Sequence, residues 1–238
     1  MPDSINLLLS SLSKGDTAAI GPHLKSVYLE QQTVLYEVGT KIALVYFPTH
    51  AIISLVVCLS NGQTIEAAMV GRDGVVGASP ALDGKESLSR AIVQLSGDAM
   101  VCDVGALKSA AMQSQSLISK LVRHEQAVYA QAQQSAACMA SHHVTARLSR
   151  WLLRARDLAD TDTLDFTQEF LAEMLGVRRT SVTLVARQLQ QAGVIKYRRG
   201  RIQIVDVDGL RETACECYEA INSHYRSLLG LSPKEAAN

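Results

Sequence analysis

The chain has 238 residues, 47% of them hydrophobic, with 23 basic and 23 acidic side chains. That length suits two domains, and that composition excludes wholesale disorder. No apolar run reaches the roughly 20 residues of a membrane-spanning helix; the longest, residues 51–59, is strand-sized and contains Ser54 and Cys58.

The chain starts Met1-Pro2-Asp3-Ser4, without the basic start of a signal peptide, so a soluble cytoplasmic protein is expected. Short helices follow, with Leu7, Leu8, Leu9 and Leu12 as their apolar face, until Gly21-Pro22 interrupts. From Ser26 to Val104 the pattern is that of strands. The stretches are 26–29, 33–36, 43–47, 52–59, 64–70, 91–95 and 100–104. Gly39, Pro48, Asn61-Gly62, Asp73-Gly74 and Asp83-Gly84 separate them. Many short strands with regular turn signals predict a sandwich, jelly roll or small barrel. Asn61-Gly62 between two strand-like runs is a hairpin signature.

No Gly or Pro occurs from Ala106 to Leu175, and Ala, Gln, Leu and Arg dominate, which favours helix. Residues 114–140 read as one long helix. Leu117, Leu121, Val128 and Ala132 fall near heptad spacing, with His124 and Ser135 completing a weak seam. Two readings stay open: the seam meets a second copy of the chain, or it packs on its own domain. A further helix covers Val144 to Leu158, with Leu148, Trp151, Leu152 and Ala155 on one side. Residues 160–165 form a polar break.

The stretch 166–206 has the most specific pattern. Thr167 caps a helix that carries Glu169 in its first turn and Phe170, Leu171, Met174 and Leu175 as its apolar face. Gly176 is placed to end it in the left-handed conformation. A second helix runs from Arg179 to about Ala192 with Val182, Val185, Ala186 and Leu189 buried. Helix, short Gly-containing turn and helix make a helix-turn-helix. Its exposed side carries Arg179, Thr180, Thr183 and Arg187, with Ser181 beside them. Arginine pairs with guanine in the major groove, and hydroxyls reach bases or phosphates. Residues 194–198 and 201–205 flank Arg199-Gly200 and read as a two-stranded wing, with Ile202 and Ile204 inward.

Charge is distributed to match. Residues 143–205 hold 11 basic against 6 acidic side chains, a balance of +5, so the remaining 12 and 17 give −5. From Met174 to Val205 there are seven basic residues, Arg178, Arg179, Arg187, Lys196, Arg198, Arg199 and Arg201, and no acidic one. Such a segment on an otherwise acidic protein predicts a polyanionic partner, double-stranded DNA.

Of five cysteines, Cys58, Cys102, Cys138, Cys215 and Cys217, only Cys215-x-Cys217 is a close pair. Along the chain no His or second Cys pair stands at ligand spacing, so the pair is read as two thiols on a C-terminal helix and no metal ligands are assigned.

This order of parts resembles the cyclic-AMP receptor protein / fumarate-nitrate-reduction regulator superfamily over nearly the whole chain. The resemblance is carried by Thr167-Gln-Glu-Phe-Leu-Ala-Glu-Met-Leu-Gly-Val-Arg-Arg-Thr-Ser-Val-Thr and Gly193-Val-Ile-Lys-Tyr-Arg-Arg-Gly-Arg-Ile. Val45-Tyr-Phe-Pro and Val70-Gly-Arg-Asp-Gly-Val-Val-Gly add to it. It implies an α+β chain: a jelly-roll, cyclic-nucleotide-binding-like sensor domain over 1–113, a dimerisation helix over 114–142, and a winged helix-turn-helix over 143–238. By the same resemblance Arg179 takes a base-reading position, Ser181 sits two residues on, and Thr167 and Gln168 match phosphate-touching positions. A second charged reader of many members is replaced by Leu184. A homodimer on a two-fold operator and RNA polymerase as a further partner are also implied. The DNA-contact set is thus Thr167, Gln168, Arg178, Arg179, Thr180, Ser181, Thr183, Arg187, Arg198, Arg199 and Arg201.

The sensor end departs from the family. Cyclic-AMP binders carry Gly-Glu-Leu/Ile and an Arg-Ser or Arg-Thr pair. Here the first stretch is Gly77-Ala78-Ser79, without the glutamate, and Arg90 is preceded by Ser89 and followed by Ala91. Gly77, Ser89 and Arg90 are the candidate effector contacts, and the effector and any cofactor stay unidentified. No N-terminal cysteine cluster supports an iron–sulfur centre; His23, His50 and Met69 are the residues a haem would draw on. No enzyme is expected. The rival reading is a cupin-like metal-dependent enzyme with an accessory DNA-binding tail. It needs several His and a carboxylate converging from strands, and the β region offers His50, Glu66 and no His-x-His.

Overall fold

The computed structural model describes residues 6–78 and 86–230; Ser79 and the Asp83-Gly84 turn lie outside them. The chain opens with two short helices, α1 (Leu7–Ser10) and α2 (Lys14–Ile20), and a 3-10 turn at Gly21–His23. Asn6 caps α1, its Oδ1 accepting from Leu9 N–H at 2.9 Å. Its Nδ2 donates to the carbonyls of Pro48 and Gly74, each at 2.8 Å. One buried amide thus pins the N-terminal helices to the β domain.

Among the described residues seven strands follow: β1 (Lys25–Leu29), β2 (Val34–Tyr36), β3 (Leu44–Pro48), β4 (Ile52–Cys58), β5 (Thr64–Val70), β6 (Arg90–Leu95) and β7 (Gly97–Asp103). They form two antiparallel sheets, β1-β7-β3 and β2-β6-β4-β5. Leu29 and Ala99 from the first sheet and Ile53, Ala91 and Val93 from the second share one buried cluster between them. This is the expected jelly-roll architecture, and Asn61-Gly62 turns the β4–β5 hairpin. Strand β7 begins three residues before the expected start at Met100, because Gly97-Asp98 lacks the β-branched signature that marks a strand.

Helix α3 (Val104–Gln113) leads into the long helix α4 (Gln115–Ser141), which Ser114 caps. The heptad seam requires correction. Leu117, Leu121, His124 and Ser135 are buried within the chain, and Val128 and Ala132 are half-buried. They pack on the β domain and on the C-terminal helix at Cys217–Leu229, so that face is covered within the chain rather than by a second copy. A different stripe is exposed: Val122, Gln126, Tyr129, Gln133, Ala136 and Ala140. Its alternating spacing of four and three residues is a regular heptad.

The C-terminal part holds α5 (Val144–Ala159), β8 (Thr163–Asp165), α6 (Gln168–Leu175), α7 (Arg179–Gln191), β9 (Ile195–Arg198), β10 (Arg201–Ile204), α8 (Val207–Thr213) and α9 (Cys217–Leu229). A small sheet has the order β8-β10-β9. Strand β8 falls inside the stretch read as a polar break. Only Leu164 of its three residues is buried, so no apolar alternation announces it.

The two halves share a core. Ile52, Val56 and Met69 of the β domain pack in one cluster with Trp151, Leu158, Phe166 and Leu175 of the C-terminal part. The Val70-Gly-Arg-Asp-Gly motif forms the junction. A Cβ on Gly71 would lie 2.7 Å from Leu158 Cβ, and one on Gly74 would lie 2.5 Å from His124 Nε2. Only glycine allows such approach. Arg72 pairs with Asp160, and Asp73 pairs with Arg154. No helix among the described residues is long and apolar enough to cross a membrane.

Candidate nucleic-acid interface

The site is built on α6, α7 and the wing. Thr167 Oγ1 accepts the Phe170 N–H at 3.1 Å and opens α6. Gly176, at φ 60°, ends it, its N–H turned back to the carbonyls of Ala172 and Glu173. A left-handed residue costs glycine little, so the chain reverses tightly and α7 starts three residues on. Val182, Val185, Ala186 and Leu189 bury one side of α7. Phe166 and Phe170 stack 5.6 Å apart, and Trp151 meets Phe166 edge-on at 4.9 Å. These aromatics and the buried side of α7 belong to one apolar cluster, which packs the two helices together.

The opposite side of α7 faces solvent. Arg178, Arg179, Thr180, Leu184 and Arg187 are exposed, and Ser181 and Thr183 are half-buried. Thr183 Oγ1 lies 2.6 Å from Gln168 Oε1 and 3.0 Å from the Arg179 carbonyl. Gln168 therefore ties the first helix to the reading face of the second. Leu184 is 60% exposed where many members of the resembled family carry a charge.

The wing sits beside this face. Tyr197 donates its hydroxyl proton to the Phe166 carbonyl at 2.9 Å, and its N–H to Gln190 Oε1 at 2.8 Å. Burial pushes the Tyr197 phenol up, while the Arg179 guanidinium pulls it back. At the tip, Arg199 and Gly200 have φ 51° and 79°. Two successive left-handed residues suit a two-residue hairpin, whose twist then matches its strands. The turn brings Arg199 to a shallow groove lined also by Thr167, Gln168, Glu169, Arg179, Tyr197 and Gly200. So Thr167, Gln168, Arg179 and Arg199 come together.

Two of the basic side chains are partly neutralised. Arg179 Nη1 lies 3.6 Å from Glu169 Oε2, and Arg201 Nε donates to Asp165 Oδ1 at 2.8 Å. Both pairs are exposed, where solvent screening leaves such contacts weak. A phosphate can displace these partners at small cost. Among the described residues no ion pair engages Arg178, Arg187, Arg198 or Arg199.

The proposed effector residues are placed differently. Gly77 adjoins the β3 sheet through the Val76–Tyr46 bridge, and a Cβ there would lie 3.2 Å from both Tyr36 Oη and Ile42 Cγ2. Arg90 opens β6 in the other sheet, with Nε 3.2 Å from Glu37 Oε1 and Nη1 3.8 Å from Cys58 Sγ. Ser89 precedes it and is held to Ser87. No described contact joins Gly77 to Ser89 or Arg90.

The cupin requirement fails on geometry. His50 faces Asp98 at 3.5 Å near the surface, whereas Glu66 is buried and bonded to Ser54, Gln94 and Trp151. Met69 lies in the shared core. Among the described residues one group of His, Cys, Asp or Glu side chains has the proximity of a metal-ligand set: Cys138, His142, Cys215 and Cys217. The absence of ligand spacing near Cys215-x-Cys217 is a property of the chain, not of the fold. The signal available in sequence is Cys138-x-x-x-His142, a pair one helical turn apart.

Comparison with known proteins agrees with this geometry. Residues 146–213 match the Crp-like helix-turn-helix domain. No curated protein matches the chain. Among solved structures, FixK2 from Bradyrhizobium japonicum is 16% identical with a TM-score of 0.69, covering 81% of this chain and 98% of its own. A CRP/FNR-family transcriptional regulator from Thermus thermophilus is 23% identical with a TM-score of 0.64, covering 80% and 98%. The c-di-GMP-responsive global regulator CLP of Xanthomonas campestris is 14% identical with a TM-score of 0.64, covering 81% and 99%. The chain thus carries a Crp-like helix-turn-helix domain over residues 146–213, and its whole-chain fold, a β-rich domain, a long helix and a C-terminal helix-turn-helix, is similar to that of CRP/FNR-family regulators.

Proposed function

We propose that the protein is a dimeric transcription regulator that reads a two-fold symmetric operator. The observation that carries this reading is the exposed, positively charged start of α7, with Arg179 and Arg199 sharing one groove. Arg179, Thr180, Ser181 and Thr183 face base edges. Thr167, Gln168, Arg178, Arg187, Arg198, Arg199 and Arg201 hold phosphates. Leu184 suits a thymine methyl group, the apolar mark of the major groove. Residues 1–113 act as sensor, 114–142 as connector and 143–238 as reader, with RNA polymerase the partner that converts binding into regulation.

Dimerisation uses the exposed heptad of α4, centred on Tyr129. Two-fold pairing of such helices sets the two readers about 34–36 Å apart, one duplex turn, or a multiple of it. Gly77, Ser89 and Arg90 are the candidate effector contacts, and an anionic ligand there would take Arg90 from Glu37. An effector acts only through different affinity for two arrangements of the dimer.

Selection of bound sequences from random duplex DNA, with native mass spectrometry of the complexes, tests the reading. The expected result is a palindromic site holding two chains. Absence of any complex at low ionic strength would overturn it.

A further inference from the structure

The cysteine and histidine cluster lies away from the reading groove and is not used by it. Cys138 sits on the last turn of α4, and His142 follows that helix directly. Cys215 lies between α8 and α9, and Cys217 is the first residue of α9. The four ligand atoms all lie within 4.8 Å of one another. Cys138 Sγ is 3.5 Å from Cys215 Sγ, and Cys217 Sγ is 3.7 Å from His142 Nδ1.

We propose that Cys138, His142, Cys215 and Cys217 form a mononuclear, tetrahedral zinc site at the pivot between the long helix and the C-terminal domain. Cys138–Cys215 and Cys217–His142 already stand at ligand separation, and the remaining pairs, all within 4.8 Å, need close by no more than about 1 Å. With Zn–S of about 2.3 Å and Zn–N of about 2.0–2.1 Å, tetrahedral ligand atoms stand roughly 3.4–3.8 Å apart. Three thiolates and one imidazole are a structural zinc set, and they complete the ion's coordination. An iron–sulfur cluster would spread its cysteines further apart, around several metal atoms.

The surroundings fit as well. His142 Nε2 lies 3.2 Å from Glu216 Oε1, which directs Nδ1 to the ion. A carboxylate on the outer nitrogen of a ligating histidine is the usual supporting contact. Gln134 Nε2 donates to Cys217 Sγ at 3.0 Å. Cys138, Cys215 and Cys217 are buried with Ala146 packed against them. Zinc with three thiolates carries one net negative charge. The buried guanidinium of Arg150, whose charge acts on Cys138, offsets it.

The ion would join the end of α4 and the α8–α9 segment across the start of α5. Its effect on the placement of α7 rests on the function proposed above; its existence does not.

Elemental analysis of the untagged full-length chain, purified anaerobically without chelator, should find about one zinc per chain. Titrating the thiols with a mercurial should release it. Cobalt(II) in its place should give intense tetrahedral d–d bands and thiolate charge-transfer absorption. Because Cys215→Ser could simply misfold, Glu216→Gln is the companion variant. It alters an exposed residue that is not itself a ligand, and should weaken zinc binding about 10- to 100-fold while leaving the fold intact. A chain free of metal that gives no thiolate–cobalt band overturns the proposal. So does iron in place of zinc, or a Cys138–Cys215 disulfide in the anaerobic preparation. These readouts need no DNA, so they fail independently of the operator reading.

Discussion

The Trp151 indole N–H donates to Glu66 Oε1 at 3.0 Å, joining α5, the helix that precedes the helix-turn-helix, to β5, the edge strand of the larger β-domain sheet. Glu66 Oε2 accepts from Ser54 at 2.6 Å and from Gln94 at 3.1 Å. Despite these three donors and the nearby Arg150 charge, burial dominates and raises the Glu66 carboxyl above its ordinary range. A carboxyl raised in the folded state takes up its proton more readily folded than unfolded. Its contribution to stability is therefore greatest at low pH, and is lost as pH rises from the ordinary carboxylate range through the raised value.

Glu66→Gln removes that dependence. Glutamine keeps an acceptor for Trp151 and offers an N–H to Ser54, and the unpaired Gln94 Oε1 can turn to meet it. The variant should gain stability relative to the parent as pH rises from 5 to 8. Urea unfolding at both pH values measures this. A variant that loses ground at pH 8 would show that the charged carboxylate is the stabilising form.

Arg179 and Arg199 share a groove but should fail differently when removed. If Arg179 reads a base as proposed, Arg179→Ala should cost about 1–3 kcal/mol at one operator position while relaxing specificity there. Arg199→Ala would remove the proposed phosphate contact. It should weaken all sequences alike and reduce the slope of log K against log salt by about one. Fluorescence titrations with matched and mismatched duplexes over a salt series separate the two. Equal loss on every duplex for Arg179→Ala would remove it from the base-reading set.

Most of the architecture is legible in the sequence because it is local. Thr167, Gly176 and the Val182, Val185 and Leu189 spacing fix two helices and their turn without reference to the rest of the chain. The alternation of Ile202 and Ile204 fixes the wing in the same way. What the sequence does not display are relationships made by the fold. Leu117, Leu121 and His124 have the spacing of a dimer seam, but spacing does not say which neighbour covers a helix face. Cys138 and Cys215 are 77 residues apart in the chain, and the return of α9 along α4 brings them together. Asp73-Gly74 reads as a turn signal, whereas Gly74 closely approaches His124, as Gly71 does Leu158.

The exposed stripe of α4 gives a direct test of assembly. Tyr129 is 66% exposed and Val122 45% exposed in the single chain, a large apolar allotment for a solvent-facing helix. Tyr129→Glu places a charge at the centre of the expected two-fold contact, where it meets its own copy. Repulsion and lost apolar burial both act against association. Sedimentation should show a dimer for the parent and a dissociation constant at least roughly tenfold weaker for the variant, about 1.4 kcal/mol, with unchanged helix content by circular dichroism. Unaltered association would move the contact off this stripe.

Asp73 and Arg154 pair across the same junction, with Oδ2 and Nη2 2.7 Å apart and both side chains almost fully buried. The contact is close but poorly directed for hydrogen bonding. Asp73 Oδ1 and Arg154 Nε and Nη2 have no hydrogen-bond partner, while Arg154 Cζ sits 4.4 Å from the Tyr225 ring centre. Burying two charges costs several kcal/mol each, and attraction repays it only while both are present. Asp73→Asn leaves a buried cation without its counter-charge and should cost about 3–5 kcal/mol. The double change Asp73→Ala with Arg154→Met removes both charges, and should recover most of that loss. Chemical denaturation of the parent and the two variants makes the comparison. A double variant as unstable as Asp73→Asn alone would mean that the ring contact and packing of Arg154, rather than its charge balance, hold the junction together.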